Sequence, residues 1–350
     1  MMRIKNIFNL LVSFAIVMAS ASCVHEWPTP TDTDLILNLE FDTDLPQGPE
    51  MNLDTKSDDK AYDVRYIVEA YPEIRRGEYD ESTPAGRFVF TKDDINNIDN
   101  TVRISILEGK YLFRVWTDYV DAGSKEDKFY KTDKFTAIKL FGNDEKVAHV
   151  GNCDYRDAFA GYKEIDVIRY GSSMPPVSET IKMSRPLSKI VFYTNDLDRW
   201  KTKMLVTMYE QALKEAKPGE TVPVPTHVNL DDYTVKIMYP IYMPNTFNLS
   251  DDHTAWSATN VSFDSKMVQI DENMAFMGFD YVFANAVKPT VDMAVALYDK
   301  NGKQLARSGN FNVKLERGKV TTVTGSFLMK KSDGGIAINP DFDGEFNIIL

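Results

Sequence analysis

Alternation of apolar and polar residues with a period of two is the feature that most limits how this chain can fold. In LILNLEF, residues 35–41, every second side chain is apolar, and VRYIVEAY at 64–71 repeats the pattern. Such alternation predicts strands that bury one face. Clusters of Asp, Asn, Gly and Pro separate these segments, and strands and helices do not alternate along the chain. The sequence therefore predicts an all-β fold built of antiparallel sandwiches.

Two series of predicted strands follow one another, and Arg185-Pro186 separates them. We therefore expect two tandem domains, at residues 35–184 and 185–350. Within the second series, Asn301-Gly302 in the segment DKNGK predicts a hairpin with a type I′ turn, in which both residues have positive φ.

One segment shows helical spacing instead. Between Leu197 and Leu213 apolar side chains recur every three or four residues, which predicts one amphipathic helix near 196–217. Asn195 or Asp196 is placed to cap its start, and Pro218-Gly219 ends it. We interpret its stripe of Met and aromatic side chains as part of the core.

The first 22 residues have the layout of an export signal. Arg3 and Lys5 form a basic start, Ile7 to Ala19 are mostly apolar, and three small residues follow. The apolar run is too short to span a bilayer. Residues 1–22 are therefore predicted to be removed on export.

Ser20-Ala21-Ser22-Cys23 resembles the lipobox of bacterial lipoproteins. In that family the cysteine sulfur receives a diacylglycerol and the signal is cut just before it, so the resemblance implies lipidation of Cys23. Residues 23–34 then form an extended tether, because they are rich in Pro, Thr and Asp. The alternative is an ordinary secretory signal beside an incidental cysteine. Cys153, the other cysteine, is interpreted as a small, partly buried residue rather than a reactive thiol.

The sequence contains few motifs that indicate catalytic or binding chemistry. None of the four histidines has metal-ligand spacing to another His or Cys, and the glycine motifs of nucleotide sites are missing. We therefore expect no enzyme activity, no metal and no cofactor; an exported hydrolase is the weakest alternative. A net charge of −12 without a basic block argues against nucleic acid as a partner.

Trp256 is the aromatic residue best placed for a surface contact, because SDDHTAWSATN at 250–260 reads as a loop. An exposed indole can stack on a sugar ring. The main alternative function is therefore a surface lipoprotein that binds glycans.

Several separated motifs resemble the fimbrillin-type lipoproteins of Bacteroidetes, and in particular the fimbrial anchor subunit family with its uncharacterised relatives. The resemblance covers most of residues 30–350 and rests on segments that include VRYIVEAYPE, GKYLFRVWTDYVDAG, MSRPLSKIVFYTNDLD and KVTTVTGSFLMKKSDGGIAINPDFDGEFNI.

The resemblance implies two transthyretin-like sandwich domains, a lipid-anchored amino terminus and export to the outer membrane. We expect the body to be exposed at the cell surface, with the periplasmic face of the membrane as the alternative. The resemblance also implies a role in a type V pilus, as the anchor or as an accessory or tip subunit. Its partners would be fimbrial subunits, joined through β-strand addition. No Arg or Lys lies between Cys23 and Leu35, and the first is Lys56. A short leader cleaved after a basic residue is thus absent, which favours a retained lipid.

The last six residues, EFNIIL, alternate Phe346, Ile348 and Leu350 with Glu345 and Asn347. They are suited to be a strand-exchange segment that inserts into the groove of another subunit. The alternative is an ordinary last strand of the chain's own sheet.

Overall fold

The computed structural model describes residues 32–42, 62–91, 94, 100–141, 148–168, 175–285, 290–329, 342–343 and 345–349. Strands dominate these residues. In the first half they are β1 (Asp32–Phe41), β2 (Tyr62–Arg75), β3 (Glu78–Tyr79), β4 (Gly86–Thr91), β5 (Thr101–Leu107), β6 (Gly109–Asp121), β7 (Tyr130–Lys131), β8 (Ile138–Leu140), β9 (Phe159–Val167) and β10 (Val177–Met183).

The second half begins with β11 (Leu187–Thr194) and the α-helix α1 (Leu197–Glu215). The strands that follow are β12 (Tyr233–Tyr239), β13 (Met243–Asn248), β14 (His253–Ala258), β15 (Val261–Ser265), β16 (Val268–Gln269), β17 (Ala275–Phe283), β18 (Thr290–Asp299), β19 (Gln304–Arg307), β20 (Phe311–Lys314), β21 (Val320–Gly325), β22 (Phe342–Asp343) and β23 (Glu345–Ile349). Short 3-10 helices lie at Phe135–Ala137, Asp154–Arg156 and Leu230–Asp232.

A first sandwich lies within residues 32–183. Its three-stranded sheet has the order β10-β1-β5, and its second sheet has the order β3-β2-β6-β9 with β4 also paired to β2. The apolar face of β1 packs between them, since Leu35, Leu37 and Leu39 are almost fully buried. Val68 and Phe113 of the facing sheet belong to the same cluster. LILNLEF is therefore a strand that buries one face, as its period of two predicts. The strand begins earlier than expected, at Asp32 within the predicted tether, because Thr33 and Asp34 pair with Ile106 and Ser105.

The second half forms a six-stranded sheet, β16-β17-β11-β21-β23-β22, and a five-stranded sheet, β15-β12-β18-β19 with β20 on β18. A further sheet, β14-β13-β8-β7, takes strands from both halves of the chain, because Phe247 of β13 pairs with Ile138 of β8. We call it the junction sheet.

One large apolar cluster extends across this junction. The centroids of the Trp116 and Tyr130 rings are 5.2 Å apart. The centroid of the Phe283 ring lies 5.8 Å from that of Tyr130 and 5.5 Å from that of Phe247. The predicted division at residue 185 stays a prediction, since one core lies wholly within residues 35–183 whereas this one includes side chains from both sides.

The predicted class, an all-β sandwich fold with one helix, is confirmed. Antiparallel pairing does not hold throughout, because β10 pairs in parallel with β1, β21 with β11, and β23 with β21. Parallel neighbours arise where a strand crosses between sheets and returns beside one that runs in the same direction.

The helix begins and ends where the sequence indicates, but its stripe is not all core. Leu197 and Trp200 are buried, the latter with its ring 4.8 Å from Tyr233, whereas Met208 and Leu213 are exposed. Asp196 is the residue before the helix, yet its carboxylate accepts the backbone N–H of Met329 and caps no helical N–H. The core interpretation is therefore correct for the first turns of α1 and wrong for the rest.

Candidate functional site

The last described strand, β23, lies near the edge of the six-stranded sheet. It pairs in parallel with β21, with Thr321 opposite Phe346 and Thr324 opposite Ile349. On its other side β22 pairs only with Glu345 and Phe346. From Asn347 onward, the outer edge of β23 therefore has no paired strand within the part of the chain that the structure describes.

An open strand edge presents backbone N–H and C=O groups that can accept another strand. Two of the predicted strand-exchange residues, Phe346 and Ile348, belong to β23, whereas Leu350 lies outside the described residues. Pairing with β21 agrees with the alternative of an ordinary last strand. Exchange of this segment with another subunit stays a prediction.

Trp256 lies on β14, an edge strand of the junction sheet. Its side chain is 71% exposed, which agrees with the predicted surface position. The segment is a strand rather than the loop we expected, because Thr246 of β13 pairs with Trp256 across a bulged ladder. Its contact with a ligand stays a prediction. The predicted lipidation site, Cys23, lies outside the described residues.

A charged and aromatic network is buried where the two halves of the chain meet. Asp280 of β17 approaches His149 Nε2 with its Oδ2 at 2.8 Å and accepts a 2.7 Å hydrogen bond from the Tyr239 hydroxyl. Its other oxygen contacts Arg156 Nη1, and the Arg156 carbonyl accepts from the Tyr130 hydroxyl. All five side chains are almost completely buried. We call them the junction network.

The pKa shifts in the junction network follow from burial and pairing. Burial lowers the pKa of His149, and the nearby Arg156 charge lowers it further against the opposing effect of Asp280. Burial alone would raise the pKa of Asp280, but His149, Arg156 and the Tyr239 hydroxyl together hold it below its usual value. Asp280 is thus ionised and His149 neutral at pH 7.

Sequence reasoning missed this network. It considered the four histidines only as metal ligands and singled out neither Arg156 nor Asp280. One signal was present: in AFMGFDYVF, residues 275–283, Asp280 is the only charged residue of a segment that is buried along its whole length. A buried charge needs a partner, but the sequence does not say where that partner lies.

The described residues contain no group of three or more His, Cys, Asp or Glu that could hold a metal ion. Cys153 is half-buried and burial raises its pKa, which keeps it as a poorly reactive thiol. Within the same residues, no helix is long and apolar enough to cross a membrane.

These features define an all-β protein with an open strand edge among its described residues and two apolar cores, one of which includes side chains from both halves of the chain. The chain belongs to a protein family of unknown function, DUF6562, whose model matches residues 30–350. No curated protein is significantly similar to it.

Several solved structures are similar to the chain. The fimbrial anchor protein Mfa2 from Porphyromonas gingivalis is 10% identical, with 79% of this chain and 81% of that one covered and a TM-score of 0.42. A candidate cell adhesion protein from Bacteroides eggerthii is 12% identical, with 87% and 90% covered and a TM-score of 0.43. A candidate polysaccharide-binding protein from Bacteroides thetaiotaomicron is 12% identical, with 80% of each chain covered and a TM-score of 0.42. Similarity at this level indicates no shared function by itself.

Proposed function

We propose that this protein is a non-catalytic, lipid-anchored subunit of a fimbria, acting as its anchor or as an accessory subunit in assembly and adhesion. The observation that carries the proposal is the outer edge of β23, which has no paired strand beyond Phe346 among the described residues. A strand of another subunit that pairs there gains backbone hydrogen bonds along its length. The resemblance of the sequence to fimbrial anchor subunits supports the same interpretation.

The amino-terminal sequence supports the lipid anchor. An apolar run, three small residues and Cys23 come in the order that export and acylation require, and each buried methylene of an acyl chain adds about 0.8 kcal/mol to membrane binding. Nine positions after Cys23 the chain enters β1, the central strand of the three-stranded sheet of the first sandwich. A force applied to the folded body would then be transmitted to the lipid through β1, which is hydrogen-bonded to a neighbouring strand on each side. We propose the outer membrane as the site of attachment, with the body facing the medium.

Fractionation of cells tests the anchor. With Cys23→Ala, we expect the protein to leave the outer-membrane fraction and the fimbriae to change in length or attachment. Cys153→Ala is the matched control, because it removes the other cysteine from a half-buried position and should leave both unchanged. If the Cys23→Ala protein stays in the outer membrane and the fimbriae are unchanged, the anchor proposal is wrong.

Photocrosslinking in cells tests strand addition. A crosslinking residue at Ile349, on the open edge of β23, should capture a fimbrial subunit. The same residue at Val191 is the control, since β11 is paired on both sides, with β17 and β21. Equal yields from the two positions, or no fimbrial subunit captured at Ile349, would argue against an exchange at this edge.

Glycan binding through Trp256 is the second candidate, and the 71% exposure of the side chain favours it. Trp256→Ala should then abolish retention of the protein on a polysaccharide affinity gel. Unchanged retention of this variant would remove Trp256 from the binding surface.

A further inference from the structure

A small cleft lies between the two halves of the chain, on the side of the molecule where β9 and β10 approach the loop after β13. It has a volume of about 240 Å³, and its lining includes Tyr162, Lys182, Ser184, Leu249 and Asp252. We call it the junction cleft. It is smaller than the roughly 300 Å³ at which pockets for drug-sized ligands begin, so it suits one or two small rings.

The floor of the cleft is held rigidly. Ala160 and Ser184 exchange two backbone hydrogen bonds of 2.9 Å, which join β9 to the residue after β10. Next to Ala160, Gly161 is packed so closely that a Cβ would lie 2.4 Å from the Lys182 carbonyl oxygen. On the opposite side, the backbone N–H of Leu249 donates to the Phe135 carbonyl at 2.8 Å. The cleft is therefore formed before any ligand arrives.

Tyr162 places an aromatic ring at the mouth of the cleft. Its side chain is 64% exposed although its neighbours in β9 help form a core. The Arg114 guanidinium approaches to 5.9 Å from the ring centroid, and Arg114 is itself held by the Leu249 carbonyl at 2.7 Å and by Glu81 at 2.8 Å. A ring fixed in this way and still open to solvent can stack on the apolar C–H face of a pyranose.

Polar groups complete the rim. Arg317 Nη1 donates to the Asp252 carboxylate at 2.7 Å, and Arg317 Nη2 donates to the Asp252 carbonyl, so this acceptor is fixed in direction. Lys182 and Ser184 also line the cleft. A carboxylate and further polar groups around one ring can bind the hydroxyl groups of a sugar. Asp252 is paired with Arg317 and Arg114 with Glu81, so both of these fixed charges are already neutralised, which favours a neutral ligand over an anion.

We propose that the junction cleft binds a neutral saccharide, with Tyr162 stacking on the sugar ring and Asp252 accepting from its hydroxyl groups. This site is separate from the β23 edge and from Trp256. Strand addition and saccharide binding can therefore succeed or fail independently.

The test is binding of the full-length lipidated protein, in detergent, to an array of neutral and acidic bacterial, plant and mucin polysaccharides. We expect retention on neutral glycans, and a loss of roughly tenfold in apparent affinity for Tyr162→Ala, which is the scale of one aromatic contact. Tyr162→Phe keeps the ring and should keep most of the affinity, which separates loss of the contact from loss of folding. Asp252→Asn should weaken binding as well.

Tyr155→Ala is the control, because Tyr155 is also an exposed tyrosine, at 43%, and does not line the cleft. Wild-type protein that binds no glycan, or only acidic glycans, would overturn the inference. So would equal losses in Tyr155→Ala and Tyr162→Ala, or a loss seen in Trp256→Ala and absent in Tyr162→Ala. Fimbriae counted on cells that carry Tyr162→Ala should be unchanged, so that a failure of this site is distinguished from a failure of assembly.

Discussion

Two buried Arg–Asp pairs in this molecule differ in what they join. Arg65 of β2 binds Asp118 of β6 through both carboxylate oxygens, at 2.9 and 2.7 Å, and these strands are direct neighbours in one sheet. Arg156 binds Asp280 across the junction, and the two residues lie 124 positions apart. The first pair stabilises a local ladder, whereas the second holds the two halves of the chain together.

The pairs also differ in the pKa of the aspartate. Burial raises the pKa of Asp118 even though Arg65 and the Trp116 indole N–H oppose the shift. Asp280 is just as buried, but its pKa is lowered because His149, Arg156 and Tyr239 all favour its ionised form. The two aspartates are equally buried, so the direction of the shift follows from the groups around them: Asp118 has one cation and the like charge of Asp127 nearby, whereas Asp280 has three partners that favour its ionised form.

Asp280→Ala is the substitution that we expect to lower the free energy of unfolding most. Removing this carboxylate leaves the Arg156 charge buried without a counter-ion, which should lower the free energy of unfolding by about 3–5 kcal/mol. A urea titration measures it. Asp264→Ala is the control, since Asp264 is 62% exposed in a surface pair and should matter little. A loss below about 1 kcal/mol for Asp280→Ala would mean that the junction network does not hold the two halves together.

Asp118→Ala should lower the free energy of unfolding by less than Asp280→Ala does. Arg65 keeps a second carboxylate, Asp127 at 2.8 Å, and the Lys125 carbonyl at 2.8 Å, so its charge stays partly paired. We expect a loss of about 2 kcal/mol, which is the scale of a lost hydrogen bond to a charged group together with the indole N–H left unpaired. The same titration checks it. A cost equal to that of Asp280→Ala would remove the distinction between the two pairs.

Acidification should act on the junction through His149. Its pKa in the folded protein lies below the ordinary 6.5, so the unfolded chain binds a proton first as the pH falls. The free energy of unfolding should therefore decrease from about pH 6.5 downward, until the folded pKa is reached. His149→Gln should remove most of this decrease, as urea titrations between pH 7 and pH 5 would measure. A variant that keeps the wild-type slope contradicts the assignment.

The smallest effect on the free energy of unfolding is expected for a surface ion pair. Lys163 and Glu179 form a 2.6 Å ion pair between β9 and β10, but both side chains are more than a third exposed. Lys163→Ala should change the free energy of unfolding by less than about 1 kcal/mol, and salt should reduce even that difference. A larger loss would mean that exposed and buried pairs contribute alike in this fold.

Much of the fold follows from local patterns in the sequence, because period two directly reports which face of a strand is buried. LILNLEF and VRYIVEAY are strands, and the helix lies within two residues of its expected bounds. LILNLEF buries one face as predicted, whereas VRYIVEAY is buried on both faces from Arg65 to Tyr71, because its two faces pack into different cores. The turn at Asp299–Lys303 was predicted less well. Only Gly302 has a positive φ there, because the Asp299 carboxylate accepts the N–H groups of Asn301 and Lys303 and favours a turn with one left-handed residue.

Pairings between distant segments could not be predicted. Nothing in the sequence around Ile138 says that it will pair with Phe247, or that Arg156 will meet Asp280. The same holds for the junction cleft, whose walls come from residues 160–186 and 249–252. Local alternation defines strands and their faces, whereas their neighbours are fixed by packing of the whole chain.

The most direct test of the account is mass spectrometry of the protein isolated from outer membranes, together with the proteins that remain bound to it. The proposal predicts a mature amino terminus at an acylated Cys23, and fimbrial subunits among the partners. An unmodified amino terminus elsewhere in the chain, or partners without any fimbrial subunit, would contradict it.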